Sequence, residues 1–487
     1  MDIEQEETAA ARTMREFRAE MRAKAGDAID LVVEERRIQE IANAWARETM
    51  AETMKRADTE ASEVEIEGKR WGNRRAHKGE YETVFGSVTI ERSVYQQSGR
   101  GRVAIPMDLR LGIVEGMYTP RMARIATRAI ALMPNEEAAQ FLLEVGTATL
   151  SNATLGRLPR AIAARYELER PVIVAAVRAR DTIPDQAVTV QASLDGVMVP
   201  QDGEYAKPRG RKTKSPEPPR HEQRYGPVHS EGSCTEDGTL GRAWHEASVG
   251  TLAFFAADGE RLRTIYLARM PEPHKATLVG ELEDELAAVL RERPEVNVVF
   301  ASDGAEPQWA ALDAIESRLP ANATGHRMKL VDAFHVAEYV QKAANAVEGT
   351  DTGDAKVLAA TWRETIKETA DGAQRVLRSM RARLPSARGA NARKEMKSAI
   401  TYIANQHALG RMDYLQAQKR SYPIGTGIVE AAAKTIVGTR MKRAGARFSQ
   451  HGGQTVMLFR AALLSRRFDA LHQELHASFT KPVRLVA

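Results

Sequence analysis

The spacing of apolar and polar residues changes along the chain, and the first change falls near residue 63. Over residues 2 to about 60, apolar residues recur at helical spacing among charged ones, which predicts an N-terminal helix within residues 1–62. Such a helix could associate with the same helix of a second copy of the chain, or it could pack on its own domain with its polar face in solvent. Two alternating patterns then meet at Gly86-Ser87, which predicts a β-hairpin region over residues 63–117, with residues 96–117 rich in loops.

Helical spacing returns over residues 118–182. Asn135 begins one predicted helix, Gly146 turns the chain, and Ser151 can cap a second helix. Helix, glycine turn and capped helix is the outline of a helix-turn-helix, so this region is either a DNA-binding motif or a plain helical hairpin. Pro159 inside the second helix counts against a recognition helix.

Residues 185–335 have the pattern of a mixed α/β domain, with elements in the order β, β, β, α, β, α, β, α. One strand is predicted to end at Asp195, and a later, continuously apolar strand ends at Asp303. Residues 201–237 form a polar, basic insertion that lacks the apolar content to fold alone. Helical patterns follow over residues 336–420 and, after a glycine-rich turn, over residues 421–487.

Composition narrows the class of protein. A chain of 487 residues suggests three or four structural units, and 43% hydrophobic with 28% charged residues is ordinary for a soluble globular protein. A single cysteine, Cys234, excludes a disulfide framework and a clustered cysteine zinc site, which fits a reducing, cytoplasmic setting. No run of 18 apolar residues and no apolar signal core are present, so neither a membrane span nor export is expected.

Carboxylates follow two of the predicted strands in the same way, as Leu194-Asp195-Gly196 and Ser302-Asp303-Gly304. Open sheets place ligand sites at such strand ends, and paired carboxylates repel one another unless a cation joins them. In nucleases and polymerases, two bound Mg²⁺ ions usually offset this repulsion. The alternative is that each Asp-Gly is only a strand-ending turn. Glu430, at the start of a helix, is the candidate third acid; otherwise it is an ordinary first-turn acid favoured by the helix dipole.

Basic residues cluster in two places near these acids. Residues 431–468 contain no acid and eight basic residues, and residues 375–397 contain eight basic residues and one acid. A charge run is usually a solvated face, but two runs that flank a carboxylate site favour a nucleic-acid track. The run after Glu430 consists of Lys434, Arg440, Lys442, Arg443, Arg447, Arg460, Arg466 and Arg467.

A further acid and histidine, Asp332 and His335, close the last predicted strand. This histidine could be a metal ligand, a proton shuttle or a hydrogen-bonding core residue. Because no second histidine lies at a ligand spacing, the sequence favours a structural role.

Taken together, these motifs resemble the DDE transposases of bacterial insertion sequences, and most closely the ISKra family within the wider group related to Mutator-like elements. The resembling segments are Asp195-Gly196, Ser302-Asp303-Gly304, Asp332-Ala333-Phe334-His335 and Gly427-Ile428-Val429-Glu430. Trp244-His245-Glu246 and the tail from Val437 to Ser449 are also similar to the family's pattern. Two departures are the absence of a cysteine pair near Gln96-Gln97-Ser98-Gly99 and the phenylalanine at 448, where tryptophan is common.

The resemblance implies an RNase H-like catalytic domain interrupted by an all-α insertion. It implies that Asp195, Asp303 and Glu430 bind two divalent ions, Mg²⁺ or Mn²⁺, with Asp332 the rival of Asp303 as the second acid. Arg440, Lys442, Arg443 and Arg447 become the candidate DNA-binding residues. Partners would be double-stranded DNA, as element ends and target, and at least one further copy of the chain. A bacterial protein associated with the nucleoid is expected.

The sequence therefore predicts a transposase that cleaves DNA and transfers strands in a metal-dependent reaction. The alternative is a catalytically silent DNA-binding protein derived from such an enzyme. A weaker alternative is a two-carboxylate glycosidase, which the basic tracts and the low aromatic content of 6% disfavour.

Overall fold

Two units build the fold: residues 181–466 form one, and residues 1–180 together with 467–487 form the other. The computed structural model describes residues 9–24, 29–97, 102–146, 150–201, 243–443, 446 and 448–486. The predicted basic insertion 201–237, beyond residue 201, and the candidate DNA-binding Arg447 lie outside these ranges. The predicted C-terminal segment 421–487 is divided between the two units.

The predicted N-terminal helix consists of two helices, α1 (Ala9–Ala23) and α2 (Leu31–Lys55). The second begins at Asp30, whose carboxylate accepts hydrogen bonds from the backbone N–H groups of Val32 and Val33. This is an N-cap, the interaction that satisfies the unpaired amides at a helix start. On α2, Leu31 and Val32 are 66% and 69% exposed, so its first turn places little of its apolar surface in a core.

A five-stranded antiparallel sheet follows, and it contains the predicted hairpin. Its strands are β1 (Glu63–Ile66), β2 (Lys69–Thr83), β3 (Gly86–Gln96), β4 (Val103–Ala104) and the C-terminal strand Val483–Val486, which pairs with β1. Thr83 pairs with Gly86 across the turn, where Gly86 has φ 111°. Tyr81, Val88 and Ile90 from this hairpin are buried with Met54 of α2.

Helices complete this first unit. Residues 96–117 are not only loop, because they contain the short helix α3 (Pro106–Leu111). Ser151 caps the second predicted helix as expected: its hydroxyl accepts from the Thr154 N–H at 3.1 Å. That helix is 28 residues long and accommodates Pro159 and Pro171 in its interior. The remaining helices are α4 (Pro120–Leu132), α5 (Asn135–Glu144), α6 (Asn152–Ala179) and the C-terminal helix Phe468–Phe479.

The second unit is built on a mixed sheet in the order β7-β6-β5-β8-β9. Its strands are β5 (Thr189–Gln201), β6 (Ala243–Phe255), β7 (Arg261–Arg269), β8 (Asn297–Ser302) and β9 (Arg327–Val331). Strands β5, β8 and β9 run parallel, and β6 and β7 are antiparallel additions at one edge. The predicted end of the first strand at Asp195 is wrong. Alternation continues through Val197 and Val199, and β5 pairs with β6 as far as Gln201, while its parallel pairing with β8 ends at Ser193.

Helices cover both faces of this sheet. Alternate β5 residues, among them Val190, Ala192 and Leu194, share a core with Leu278 and Leu282 of the helix α7 (Ala276–Glu292). The opposite face of the sheet carries the second core, described with the site below. The helix α8 (Glu306–Ser317) connects β8 to β9, and a short 3-10 turn, Pro273–Lys275, precedes α7.

The predicted helical segment after the sheet is present. It consists of α9 (Ala333–Glu348), α10 (Gly353–Glu368), α11 (Gly372–Arg383), a 3-10 turn at Leu384–Ser386, α12 (Ala390–Ala408) and α13 (Tyr414–Lys419). Gly372 is required between α10 and α11, because a Cβ there would overlap the Thr365 carbonyl. The chain then forms α14 (Gly427–Ala432), a π-helical turn (Ala433–Gly438), a short helix (Thr439–Met441) and α15 (Gln450–Leu464). Across the described ranges, every helix is too short or too polar to cross a membrane.

Candidate active site

Three aspartates occupy one row at the carboxyl ends of the parallel strands. Ser193 of β5 pairs with Ala301 of β8, so Asp195 and Asp303 each lie two residues beyond that pair. Ser302 pairs with Val331 of β9, so Asp303 and Asp332 each lie one residue beyond. The predicted acids Asp195 and Asp303 therefore lie on neighbouring strands at the same level, just beyond the last parallel pair of β5 and β8, although β5 itself continues to Gln201.

Glu430 reaches this row from the helix α14, which packs on the opposite sheet face from α7. In this second core, Val199 of β5 is buried with Val429 and Ala432, the neighbours of Glu430 in the chain. Side chains alternate between the faces of a strand, so Asp195 and Val199 share the face that α14 covers. The predicted third acid is thus brought to the face of β5 that carries the first.

The charges of these acids act on one another. Burial raises the pKa of Asp195 to about 6, and the negative charges of Asp303 and Glu430 add to that rise. A hydrogen bond from the Gly196 N–H and the positive charge of Lys275 act in the opposite direction. The charges of Asp303 and Glu430 therefore make ionisation of Asp195 less favourable, and a divalent cation would offset that effect.

Each of the three acids has one oxygen that the chain holds in place. Asp195 Oδ1 accepts from Gly196 N at 2.7 Å, and Asp303 Oδ1 accepts from Ala305 N at 2.9 Å. Glu430 Oε1 accepts from the Thr426 hydroxyl at 3.0 Å. Within the described ranges, the second oxygen of each carboxylate receives no hydrogen bond. The orientation of each side chain is therefore fixed while one oxygen stays available to a ligand.

Asp332 differs from these acids, because it is fully buried and both of its oxygens are in use. Oδ1 accepts from the N–H groups of Phe334 and Thr426, at 3.2 and 3.1 Å. Oδ2 accepts from the His335 N–H at 3.3 Å and contacts His335 Nδ1 at 3.1 Å. Burial alone would raise the pKa of Asp332, but these hydrogen bonds outweigh it and hold the pKa below its ordinary value. Four donors fill the sites that a carboxylate offers.

His335 lies closer to Glu430 than its place in the sequence suggests. Ligand atoms of Asp332, His335 and Glu430 all lie within 4.8 Å of one another, a grouping found among the described residues. The hydrogen bond to Asp332 raises the pKa of His335 to about 9. The sequence could not indicate this meeting, since Glu430 follows 95 residues later in the chain and is delivered by α14.

A lysine and a glutamate that the sequence reasoning did not assign to the site lie beside Asp195. Lys275 Nζ lies 2.5 Å from Glu246 Oε1, and a Cβ on Gly196 would overlap that same glutamate carboxylate. Gly196 therefore allows Glu246 to lie against the β5 backbone next to Asp195. No sequence signal distinguished Lys275, while Glu246 appeared only in a segment similar to the family pattern.

The candidate DNA-binding residues are not equivalent. Lys442 and Arg443 are exposed, but Arg440 is only 5% exposed and its guanidinium lies over the Phe448 ring at 5.4 Å. Arg440 therefore packs within the unit with its guanidinium over an aromatic ring, which leaves little of its side chain exposed to a partner. The other basic run is exposed throughout: Arg375, Arg378, Arg381, Arg383, Arg388, Arg393, Lys394 and Lys397.

The donor set fits a hard divalent cation. The available atoms are carboxylate oxygens, which are the ligands that Mg²⁺ and Mn²⁺ prefer. Their mutual repulsion is the physical signature of a site completed by positive charge. His335 is less suited to this role, because a histidine must be neutral to bind a metal and its partner Asp332 favours the protonated form.

No protein-family model matches this chain, and no curated protein matches it. Among solved structures it is similar to the Drosophila P element transposase strand transfer complex, with 11% sequence identity and a TM-score of 0.32, over 71% of this chain and 92% of that chain. It is also similar to the Mos1 mariner paired end complex with Mn, with 13% identity and a TM-score of 0.14, over 51% and 61% of the two chains. A pre-cleavage Mos1 transpososome aligns with 9% identity and a TM-score of 0.13, over 60% and 79%.

Proposed function

We propose that this chain is a transposase that cuts and joins DNA phosphodiesters at the site formed by Asp195, Asp303 and Glu430. The observation that carries the proposal is the arrangement of these three carboxylates. Each has one oxygen held by the chain and one oxygen that receives no hydrogen bond from the described residues. Burial raises the pKa of Asp195 to about 6, and the charges of Asp303 and Glu430 add to that rise. Carboxylates are the usual ligands of divalent cations in enzymes that cut phosphodiesters.

The mixed sheet supports an RNase H-like catalytic core. Three parallel strands place Asp195, Asp303 and Asp332 in one row, and the two antiparallel strands extend the sheet beyond Asp195. The helices α9 to α13 stand between the second acid and Glu430, which fits the all-α insertion implied by the family resemblance. We accordingly propose that the chain is a DDE transposase related to the ISKra family.

The hydrogen bonds support Asp303, rather than Asp332, as the second catalytic acid. Asp332 accepts four hydrogen bonds and has no free lone pair, so its role is to fix the base of α9 and the turn before Glu430. Two Mg²⁺ or Mn²⁺ ions bound by the open oxygens would activate the attacking hydroxyl and stabilise the leaving oxygen. Thr426 holds Glu430 in the orientation this requires.

Double-stranded DNA is the proposed partner, as element ends and as target. The exposed basic residues of α11 and α12, and Lys442 and Arg443 near Glu430, offer phosphate contacts within the same unit. Two ends must be held together for joining, so we propose a dimer or a larger assembly on DNA. The proposed setting is the bacterial nucleoid.

The test is excision of a marker flanked by the DNA that borders this reading frame. Wild type is compared with Asp195→Asn and with Asp185→Asn, a control that alters an exposed aspartate of the same unit. Excision by wild type and the control, but not by Asp195→Asn, would support the proposal. If Asp195→Asn excises as well, the site is misassigned. If no protein excises while all bind the ends, the chain is a silent DNA-binding relative.

A further inference from the structure

Lys275 is held beside the carboxylate site by an unusual backbone. His274 and Lys275 both have φ 54°, the left-handed region that residues other than glycine rarely adopt. Two such residues in succession cost free energy and persist only where the surroundings impose them, often at functional sites. The turn leads directly into α7, for which Lys275 is the N-terminal flanking residue.

The consequence of this turn is the position of the ammonium group. Lys275 Nζ lies 2.5 Å from Glu246 Oε1, and that oxygen lies against the Gly196 Cα, next in the chain to Asp195. The side chain of Lys275 is 15% exposed and that of Glu246 is 32% exposed. Both groups of the pair are therefore partly withdrawn from solvent.

The three carboxylates, Asp195, Asp303 and Glu430, would repel a phosphodiester. The ammonium of Lys275 lies near enough to Asp195 for its positive charge to lower the pKa of that carboxyl, although Glu246 holds it on the side of β5 that Gly196 faces. It can therefore supply an attraction to phosphate that the carboxylates lack. Lysine acts there as a point charge, a role it commonly has toward phosphate.

We propose that Lys275 contacts a backbone phosphate of the DNA strand at the acid site, with Glu246 holding the ammonium in place until DNA arrives. Lys275 is then a substrate-contacting residue, and Glu246 is a positioning residue that acts through it. This inference rests on the proposed function, because it assumes a DNA substrate at the three acids.

The test measures DNA affinity against salt concentration, with Ca²⁺ replacing Mg²⁺ so that the DNA is not cut. The probe is a fluorescent duplex of the element end, and the proteins are wild type, Lys275→Gly, Lys275→Arg and Lys329→Ala. Glycine keeps the left-handed backbone without strain, so this variant is expected to fold. Lys329 is a matched control, because it is a partly buried lysine of the same unit whose ammonium is paired with Asp313 and Glu316.

Loss of one phosphate contact reduces the slope of log affinity against log salt by about 0.9 and weakens binding by roughly five- to tenfold at 0.1 M salt. We expect this for Lys275→Gly, recovery in Lys275→Arg, and wild-type behaviour in Lys329→Ala. An unchanged slope in Lys275→Gly, with or without weaker binding, would overturn the inference, because a purely structural role does not change the number of phosphates contacted. If wild type itself fails to bind or excise, the proposed function fails instead.

Discussion

Replacing Asp332 with asparagine tests whether this buried acid is a scaffold for the site. The carboxylate accepts four hydrogen bonds, whereas an asparagine has one oxygen and must present its NH₂ to donors. The largest single consequence concerns His335. Its pKa of about 9 is caused first by the hydrogen bond to Asp332, and without that partner it should return toward the ordinary 6.5.

The contribution of the Asp332–His335 pair to stability follows from the shift in the His335 pKa. A shift from 6.5 to about 9 corresponds to at most about 3 kcal/mol of folding free energy. Because the His335 side chain is 37% exposed, solvent screening reduces this to about 1–2 kcal/mol. Because the folded protein raises the pKa of His335, the pair with Asp332 stabilises the fold fully below pH 6.5, and this stabilisation is lost as pH rises through 9. Asp332→Asn should therefore be more destabilising at pH 6 than at pH 9.5.

The assay is an NMR titration with selectively labelled histidine, in EDTA so that no metal competes. The chain has 11 histidines, and the His335 signal is the one missing from a His335→Gln variant. Asp413→Asn is the control, because Asp413 caps α13 through a single bond to Gln416 N, and asparagine caps a helix as well as aspartate does. A His335 pKa that is equal in wild type and Asp332→Asn would refute the reasoning.

Two further pairs of substitutions, each a test variant with its control, examine the packing of the second unit. Gly196→Ala should displace the Glu246 carboxylate that lies over it, and so lower DNA cleavage at least tenfold with little loss of stability. Gly280→Ala is the control, because a Cβ there meets open space inside a helix and should raise stability by about 0.5–1 kcal/mol. Equal cleavage activity in the two variants would contradict this expectation. Tyr402→Phe should raise the melting temperature, because that hydroxyl is buried and has no hydrogen-bond partner among the described residues. Tyr414→Phe should lower the melting temperature by removing a 2.8 Å bond to the Val331 carbonyl. A lower melting temperature for both variants would show that the Tyr402 hydroxyl has a partner.

Local patterns in the sequence predicted most of the elements that carry the site. Alternation predicted the hairpin at Gly86, and continuous apolar character predicted β8 directly before Asp303. Both signals depend only on neighbouring residues. The end of β5 was misplaced, because the Asp-Gly pair that usually marks a turn here lies inside a strand that pairs with β6 on its other side.

What the sequence could not indicate depends on contacts between distant segments. His335 meets Glu430 only because α14 packs on the sheet, and the ion pair of Lys275 with Glu246 depends on a turn whose φ values no pattern predicts. In the sequence, Arg440 is one more basic residue of a basic run, but in the structure its guanidinium packs over the ring of Phe448 and the residue is buried. Burial of a charge is decided by its partners, which local composition does not show.

The hydrogen bond from Thr426 N to Asp332 has a consequence for how the chain could diversify. It joins two residues 94 positions apart, and a second bond from Ala333 N to the Ile424 carbonyl lies beside it. Together these two bonds hold the two ends of the long helical segment between Asp332 and Thr426 next to each other, at the level of the acids. The entropy of closing such a loop grows slowly with its length, by about 0.6 kcal/mol for each doubling. Extra sequence at its outer turns, such as residues 349–352, would leave Glu430 where it is, so insertions there can change what this segment contacts while the three acids keep their positions.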